Sequence, residues 1–237
     1  MDRAGRWSVE KLTMVTAFRQ HLARRIGILG GSFNPPHLGH LRSAMEVMEG
    51  LGLDGMQLIP SGAHPFKGRE MQATPEERLD MVRLAVSREP RFEANDIEVL
   101  QDGVGYTIDT LRSLARSRPT IEWVLVLGSD LLNELHLWKT WQLLIKYAHL
   151  CIMTRPGYIV DLQQTEAGRF LEPFMVQSPE LLYREEMGRN GVIIQPVTPM
   201  GISSTAMREA LVAGRSIDYL TPTRVVNYIQ KQELYRP

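Results

Sequence analysis

Cysteine is almost missing from this chain: Cys151 is the single thiol in 237 residues. That excludes an internal disulfide and any zinc site built on cysteine pairs. Cys151 lies in the apolar run Ala148–Met153, where a small core residue is expected rather than a nucleophile. Lysine is scarce as well. Of 27 basic residues five are lysine, leaving 22 arginines, a bias read mainly as composition. An excess charge of either sign is lacking, since 27 acidic residues balance the 27 basic ones, and nothing marks a bulk nucleic-acid binder. No run approaches the ~20 apolar residues needed to cross a bilayer, and no signal peptide is visible, so a reducing cytoplasmic setting is expected. What remains, 43% hydrophobic and 23% charged residues, is the composition of an ordinary globular domain.

Residues 1–24 are polar, basic and only loosely periodic, and are read as an N-terminal extension, a short helix or a disordered arm. Asp2 and Glu10 argue against a targeting segment. From Arg25 onward strand-like runs alternate with helical patterns. Strands are expected at Ile26–Leu29, Met56–Ile59, Ile121–Leu127, His149–Thr154 and Gly191–Pro196, with a polar extended edge segment at Phe92–Leu100. Helices are expected at Leu41–Leu51, from Thr74-Pro75-Glu76-Glu77 onward, at Thr107–Ser117, Ser203–Ala213 and Pro222–Leu234, with short ones at Ser129–Leu135 and Thr140–Tyr147. Strands spaced by helices in this way mean βαβ units. The expected fold is a doubly wound, Rossmann-like α/β domain over 25–237, a mainly parallel sheet flanked by helices with closing C-terminal helices. A surface insertion is expected near 158–190, where the pattern loosens.

Ligands of such sheets bind beyond the carboxyl ends of the strands. The first strand runs into Gly30-Gly31-Ser32-Phe33-Asn34-Pro35-Pro36-His37-Leu38-Gly39-His40. Paired glycines let the backbone approach a phosphate, and amides at the following helix start point toward an anion. The loop is neither a Walker A sequence nor G-x-G-x-x-G. Its two histidines, His37 and His40, fall on one face of a helix start, where two imidazoles can grip a polyphosphate and, when protonated, each add charge-assisted hydrogen bonds. Ordinary turn polarity and metal binding are the alternatives; no third ligand has supporting spacing for a metal. A second constellation, Ser203-Ser204-Thr205 with Arg208, opens a later helix. One hydroxyl there is a helix cap, but three plus an arginine one turn on suggest a second phosphate site.

Gly30–His40 and Ile202–Arg208 resemble the H-x-G-H and I-S-S-T-x-x-R signatures of the adenylyl- and cytidylyltransferases, and G-G-S-F-N-P-P-H-L-G-H-L is similar to the bacterial nicotinate-nucleotide adenylyltransferases in particular. Glu77-Arg78-Leu79, Tyr106–Leu111, Leu127–Asp130, Trp138–Trp141 and Thr154–Tyr158 match further segments of that family, so the likeness spans most of 25–157 and 199–235. Where the family often carries P-P-H-K, this chain reads His64-Pro65-Phe66-Lys67.

The resemblance implies transfer of the adenylyl group of ATP to the 5′-phosphate of nicotinate mononucleotide, giving deamido-NAD and pyrophosphate. It implies that His37 and His40 bind ATP phosphates, with His40 at the α-phosphate. Gly30, Gly31, Ser32 and Phe33 would contact phosphate or nucleoside, and Ser203, Ser204, Thr205 and Arg208 the β- and γ-phosphates. Thr107 and Trp138 would surround the pyridine ring, Asp109 and Asp130 would meet sugar hydroxyls, and Lys67 would steer the mononucleotide phosphate. Mg²⁺ is implied as a cofactor held mainly by substrate phosphates. Nicotinamide mononucleotide as acceptor, or a non-catalytic nucleotide sensor on the same fold, are the rival readings. Subunit contact between copies of the chain, a homo-oligomer, stays open.

Overall fold

The computed structural model describes residues 24–62, 73–101, 103, 105–154, 160–183 and 190–236. Six strands form one sheet in the order β3-β2-β1-β4-β5-β6, every neighbouring pair parallel. They are β1 (Arg24–Gly31), β2 (Gly55–Pro60), β3 (Phe92–Ala94), β4 (Ile121–Gly128), β5 (His149–Thr154) and β6 (Val192–Pro196). The helices between them are α1 (Leu38–Gly50), α2 (Pro75–Val86), α3 (Thr107–Ser117), α4 (Leu144–Tyr147), α5 (Glu166–Leu171) and α6 (Pro179–Leu182), followed by the closing α7 (Ser204–Val212) and α8 (Thr223–Lys231). After β2 and β3 the chain returns to the other side of β1 to lay down β4. The β1/β4 seam is therefore the point where strand order reverses, and the carboxyl ends of these two strands frame the crevice that such sheets use for ligands.

Burial along β4 shows why this strand is central. Trp123, Leu125 and Leu127 join a core on one face with Ile108, Leu111 and Leu114 of α3, while Val124 and Val126 join a core on the other with Ala44, Val47 and Met48 of α1. Side chains alternate, yet both faces are covered, so the strand reads as one hydrophobic run. Cys151 is fully buried in the second core, and burial drives its thiol pKa upward, which makes it inert packing. Helix α2 begins as expected. Thr74 Oγ1 accepts from the Glu77 amide at 3.2 Å, the Thr74 amide donates to Glu77 Oε2 at 2.7 Å, and Pro75 takes the first turn. A third core, with Met81 of α2, Met207 of α7 and Val225, Val226 and Ile229 of α8, fastens the carboxyl-terminal helices to the body.

Several boundaries differ from the sequence reading. The edge strand is short: Asn95 Oδ1 accepts from the Ile97 amide at 2.9 Å and turns the chain, so only Phe92–Ala94 pairs and the rest of Phe92–Leu100 leaves the sheet. Ser129–Leu135 and Thr140–Tyr147 are largely 3₁₀ turns, with α-helix only at Leu144–Tyr147. Strand β1 starts at Arg24, inside the segment read as an extension. Within the expected surface insertion, residues 160–183 are helical and more than surface. Ala167 and Leu171 enter the first core and Val176 and Leu182 the second. No helix among the described residues is long and apolar enough to cross a membrane.

Candidate functional site

At the end of β1 the chain enters the Ser32–Pro36 loop and then α1, for which His37 is the N-cap. The two histidines cap the helix reciprocally. His37 Nδ1 accepts from the His40 amide at 3.4 Å, and His40 Nδ1 accepts from the His37 amide at 3.2 Å. The rings stack, with centroids 3.6 Å apart and planes at 20°. Gly39 leaves room for this stack: a Cβ there would lie 3.0 Å from the His37 ring, so a larger residue would require the imidazole to shift by a few tenths of an ångström.

This geometry sets the protonation of the pair. Burial lowers the His37 pKa from 6.5 to about 4. Burial, and then the neighbouring charge of His37, lowers that of His40 from 6.5 to about 3. His40 is only half-buried by area, but its ring is enclosed by His37 and by Phe33, whose ring meets it edge-on at 5.0 Å. At neutral pH both rings are therefore neutral. Because each Nδ1 accepts an amide hydrogen, the hydrogen-bond pattern places each ring proton on Nε2. The pair offers two neutral N–H donors beside a helix N-terminus, an arrangement suited to phosphate oxygens.

The second constellation meets the first. Ser203 Oγ caps α7 by accepting from the Ala206 amide at 3.2 Å. Ser204 Oγ donates to the Pro35 carbonyl at 2.8 Å, and Arg208 donates to the Asn34 carbonyl at 2.8 Å and to Thr205 Oγ1 at 3.3 Å. Two segments about 170 residues apart thus share one edge, as the sequence reading required. Their hydrogen bonds differ from it in one respect: Ser204 and one Arg208 nitrogen are committed to loop carbonyls. Thr205 stays exposed at the start of α7.

Beside them β4 ends at Gly128, over which Asp130 leans. A Cβ on Gly128 would collide with Asp130 Oδ1, so the glycine lets the carboxylate fold over the strand end. Gly30, at the neighbouring end of β1, is exposed, and a Cβ on it would meet no protein atom within 4 Å. Thr107 opens α3, which runs antiparallel to the strands, so its N-terminus lies at this same edge. The half-buried Trp138 packs against the first core, between two 3₁₀ turns that follow β4. The two segments join through Lys139, whose Nζ pairs with Asp109 Oδ2 at 2.9 Å and sits 4.3 Å from the centre of the Tyr106 ring. Arg112 takes Asp109 Oδ1 at 3.2 Å. Lys139 first, then Arg112, hold the Asp109 carboxyl below its usual range. Both oxygens are on cations, so Asp109 ties α3 to the Trp138 turn. Lys67 and the rest of His64–Lys67 lie outside the described residues.

Three residues at the site escaped the sequence reading of roles. Arg78, 6% exposed, donates to the Ser32 carbonyl at 2.8 Å and to the Ser61 carbonyl at 2.7 Å. Thr221 Oγ1 donates to the Pro36 carbonyl at 2.8 Å, and the Tyr235 hydroxyl donates to Asn34 Oδ1 at 2.6 Å. Arg78 sits in a segment quoted for its likeness, but no local pattern marks any of these as loop partners. Among the described residues no group of three or more His, Cys, Asp or Glu could hold a metal. A cavity of about 570 Å³ lined by Arg112, Ala115, Arg116 and Tyr147 contains none of the expected site residues and takes no part in this edge.

The cytidylyltransferase-like family model matches residues 28–210, which include both constellations. A curated relative from Aeromonas salmonicida, named "Probable nicotinate-nucleotide adenylyltransferase", is 37% identical over 89% of this chain and 97% of its own length. One of the same name from Herpetosiphon aurantiacus is 38% identical over 90% of this chain and 98% of its own. Among solved structures, a Plasmodium falciparum nicotinic acid mononucleotide adenylyltransferase complexed with NaAD superposes with a TM-score of 0.65 at 18% identity, over 90% of this chain and 97% of that one. That likeness speaks for the fold.

Proposed function

The chain belongs to the nicotinate-nucleotide adenylyltransferases, within the cytidylyltransferase-like family, and from that premise we propose how its residues divide the reaction. The enzyme transfers the adenylyl group of ATP to the 5′-phosphate of nicotinate mononucleotide, releasing nicotinate adenine dinucleotide and pyrophosphate, a step of NAD biosynthesis. A phosphate oxygen of the mononucleotide attacks the α-phosphorus of ATP in line, the bond to the bridging oxygen breaks, and pyrophosphate leaves. No protein nucleophile is needed, and catalysis reduces to holding two anions in contact while stabilising charge that shifts toward the leaving group.

The observation that carries the assignment is the reciprocal capping of His37 and His40. It fixes both rings with Nε2–H outward, so each donates to phosphate without waiting for a proton from solution. His40 serves the α-phosphate and His37 the adjoining bridge. The amides of Gly31, Ser32 and Phe33 and the open space at Gly30 admit the phosphate and nucleoside. Thr205, the α7 N-terminus and the remaining Arg208 hydrogens take the β- and γ-phosphates, with Ser203 and Ser204 shaping that turn. Thr107 and Trp138 flank the pyridine ring, Asp130 accepts from a ribose hydroxyl, and Lys67 meets the mononucleotide phosphate. Mg²⁺ bound with ATP would supply charge neutralisation at the phosphate oxygens. The loop presents N–H donors, which suit those oxygens and not the cation, and among the described residues no group of three or more His, Cys, Asp or Glu stands ready to hold it.

The test is pyrophosphate release with ATP and Mg²⁺, offering nicotinate and nicotinamide mononucleotides separately. Preference for the nicotinate form is expected. Equal use would mean that Thr107, beside the pyridine ring, does not distinguish the carboxylate from an amide, and no release with either would overturn the assignment.

A further inference from the structure

Asn34 is the best-tied residue of the phosphate loop. It is 4% exposed, its carbonyl is held by Arg208 from α7, and its side-chain oxygen is held by Tyr235 from beyond α8. The residue before it, Phe33, has φ 44°, the left-handed region that a bulky side chain rarely occupies. A loop in that state keeps its shape only if its surroundings hold it. The Phe33 ring rests on His40, so a relaxation at Phe33–Asn34 reaches the imidazole directly. Tyr235 is anchored for the task. It is 5% exposed in the third core, and the preceding Leu234 amide donates to the Ile229 carbonyl at 3.0 Å, closing the end of α8. The hydroxyl is a permanent donor, because burial pushes its pKa upward against the pull of Arg208 and Arg78.

We infer that Tyr235 is a positioning residue for adenylyl transfer: its hydrogen bond to Asn34 sets the loop bend from which His37 and His40 present their Nε2–H donors. The inference rests on the reaction proposed above. It makes the carboxyl-terminal turn part of the catalytic scaffold, although Tyr235 meets no substrate.

Tyr235→Phe removes one oxygen and keeps the ring. It is expected to lower kcat roughly tenfold through histidine misplacement, with the KM for ATP held within about twofold. Imidazole nitrogen NMR of the free protein supplies a readout that mere destabilisation would not move. In the wild type both rings carry the proton on Nε2 and resist protonation to about pH 4. In Tyr235→Phe the His40 ring is expected to exchange between tautomers and to titrate nearer 6.5. Tyr228→Phe is the control, since it deletes a hydroxyl of α8 that faces Asp80 at 3.4 Å, and should alter neither kcat nor the histidine spectrum. If Tyr235→Phe does not fold, Asn34→Leu removes the same bond from the acceptor side and should reproduce the altered titration. A lowered Tm with unchanged kcat and histidine titration, or equal effects in Tyr228→Phe, would overturn the inference. Because the titration is read without substrate, its outcome is separate from whether the wild type releases pyrophosphate.

Discussion

Each end of the sheet holds buried histidine, and the contrast between the ends separates a site from a support. At the carboxyl edge His37 and His40 accept backbone amides at Nδ1 and have strongly lowered pKa values. At the amino edge His149 does the same: Nδ1 accepts from the Gly191 amide at 3.1 Å, and burial, then the charge of Arg25, lowers its pKa from 6.5 to about 4. Yet His149 meets the edge of Tyr183 at 5.5 Å, Arg25 lies 3.8 Å over the Tyr183 ring, and Arg25 pairs with Glu122 at 3.0 Å. Protein groups pack that ring. The carboxyl-edge pair stands instead at the strand-order reversal, next to a helix N-terminus and the bare end of β1. A depressed histidine pKa therefore records burial in both places, and only location and the direction of the remaining donor mark chemistry.

The largest expected effect breaks the carboxyl edge. His40→Ala should cut kcat by about 10²-fold or more, as expected for a donor to transition-state charge. Steady-state kinetics on protein shown to be folded check it. A normal kcat with only a raised KM would take His40 away from the α-phosphate. Arg208→Ala should come next, raising the KM for ATP about tenfold and lowering kcat severalfold, because it removes both a phosphate donor and the tie to Asn34. An unchanged KM for ATP would leave Arg208 as a loop brace alone.

That double duty shows where sequence reasoning reached and where it stopped. Helix α3 and strand β5 lie where the pattern placed them, because an amphipathic stripe and a short apolar run are local signals. Ser203 to Arg208 were visible as a cluster of donors. Their acceptors were not, since carbonyls of Asn34 and Pro35 carry no residue identity and lie about 170 residues away. The same blindness hid Tyr235, 201 residues from Asn34. The neutral state of His37 and His40 was illegible too, because it follows from enclosure by rings and from caps that exist only in the folded loop. Residues 160–183 read as a surface insertion for a related reason: α5 buries Ala167 and Leu171 and α6 buries Leu182, but helices this short span too few turns to show a period.

The smallest effect on catalysis, and a direct one on stability, belongs to the amino edge. The folded pKa of His149, about 4, lies below the unfolded 6.5. Above pH 6.5 both states are neutral and the group contributes no pH dependence. As pH falls from 6.5 toward 4 the unfolded chain takes up the proton first, so stability declines with acidification through that window, and His37 and His40 add to the slope in the same direction. His149→Asn keeps an acceptor near the Nδ1 position for the Gly191 amide and removes the titration. It should cost about 1 kcal/mol at pH 7, leave kcat unchanged, and make the acid decline shallower by one proton. Denaturant unfolding at pH 7, 6 and 5 measures this. An equally steep decline in the variant would mean that His149 does not stay neutral in the fold. A fall in kcat would erase the distinction between the two edges, since the ring braced by Tyr183 would then reach the reaction through the full length of β5.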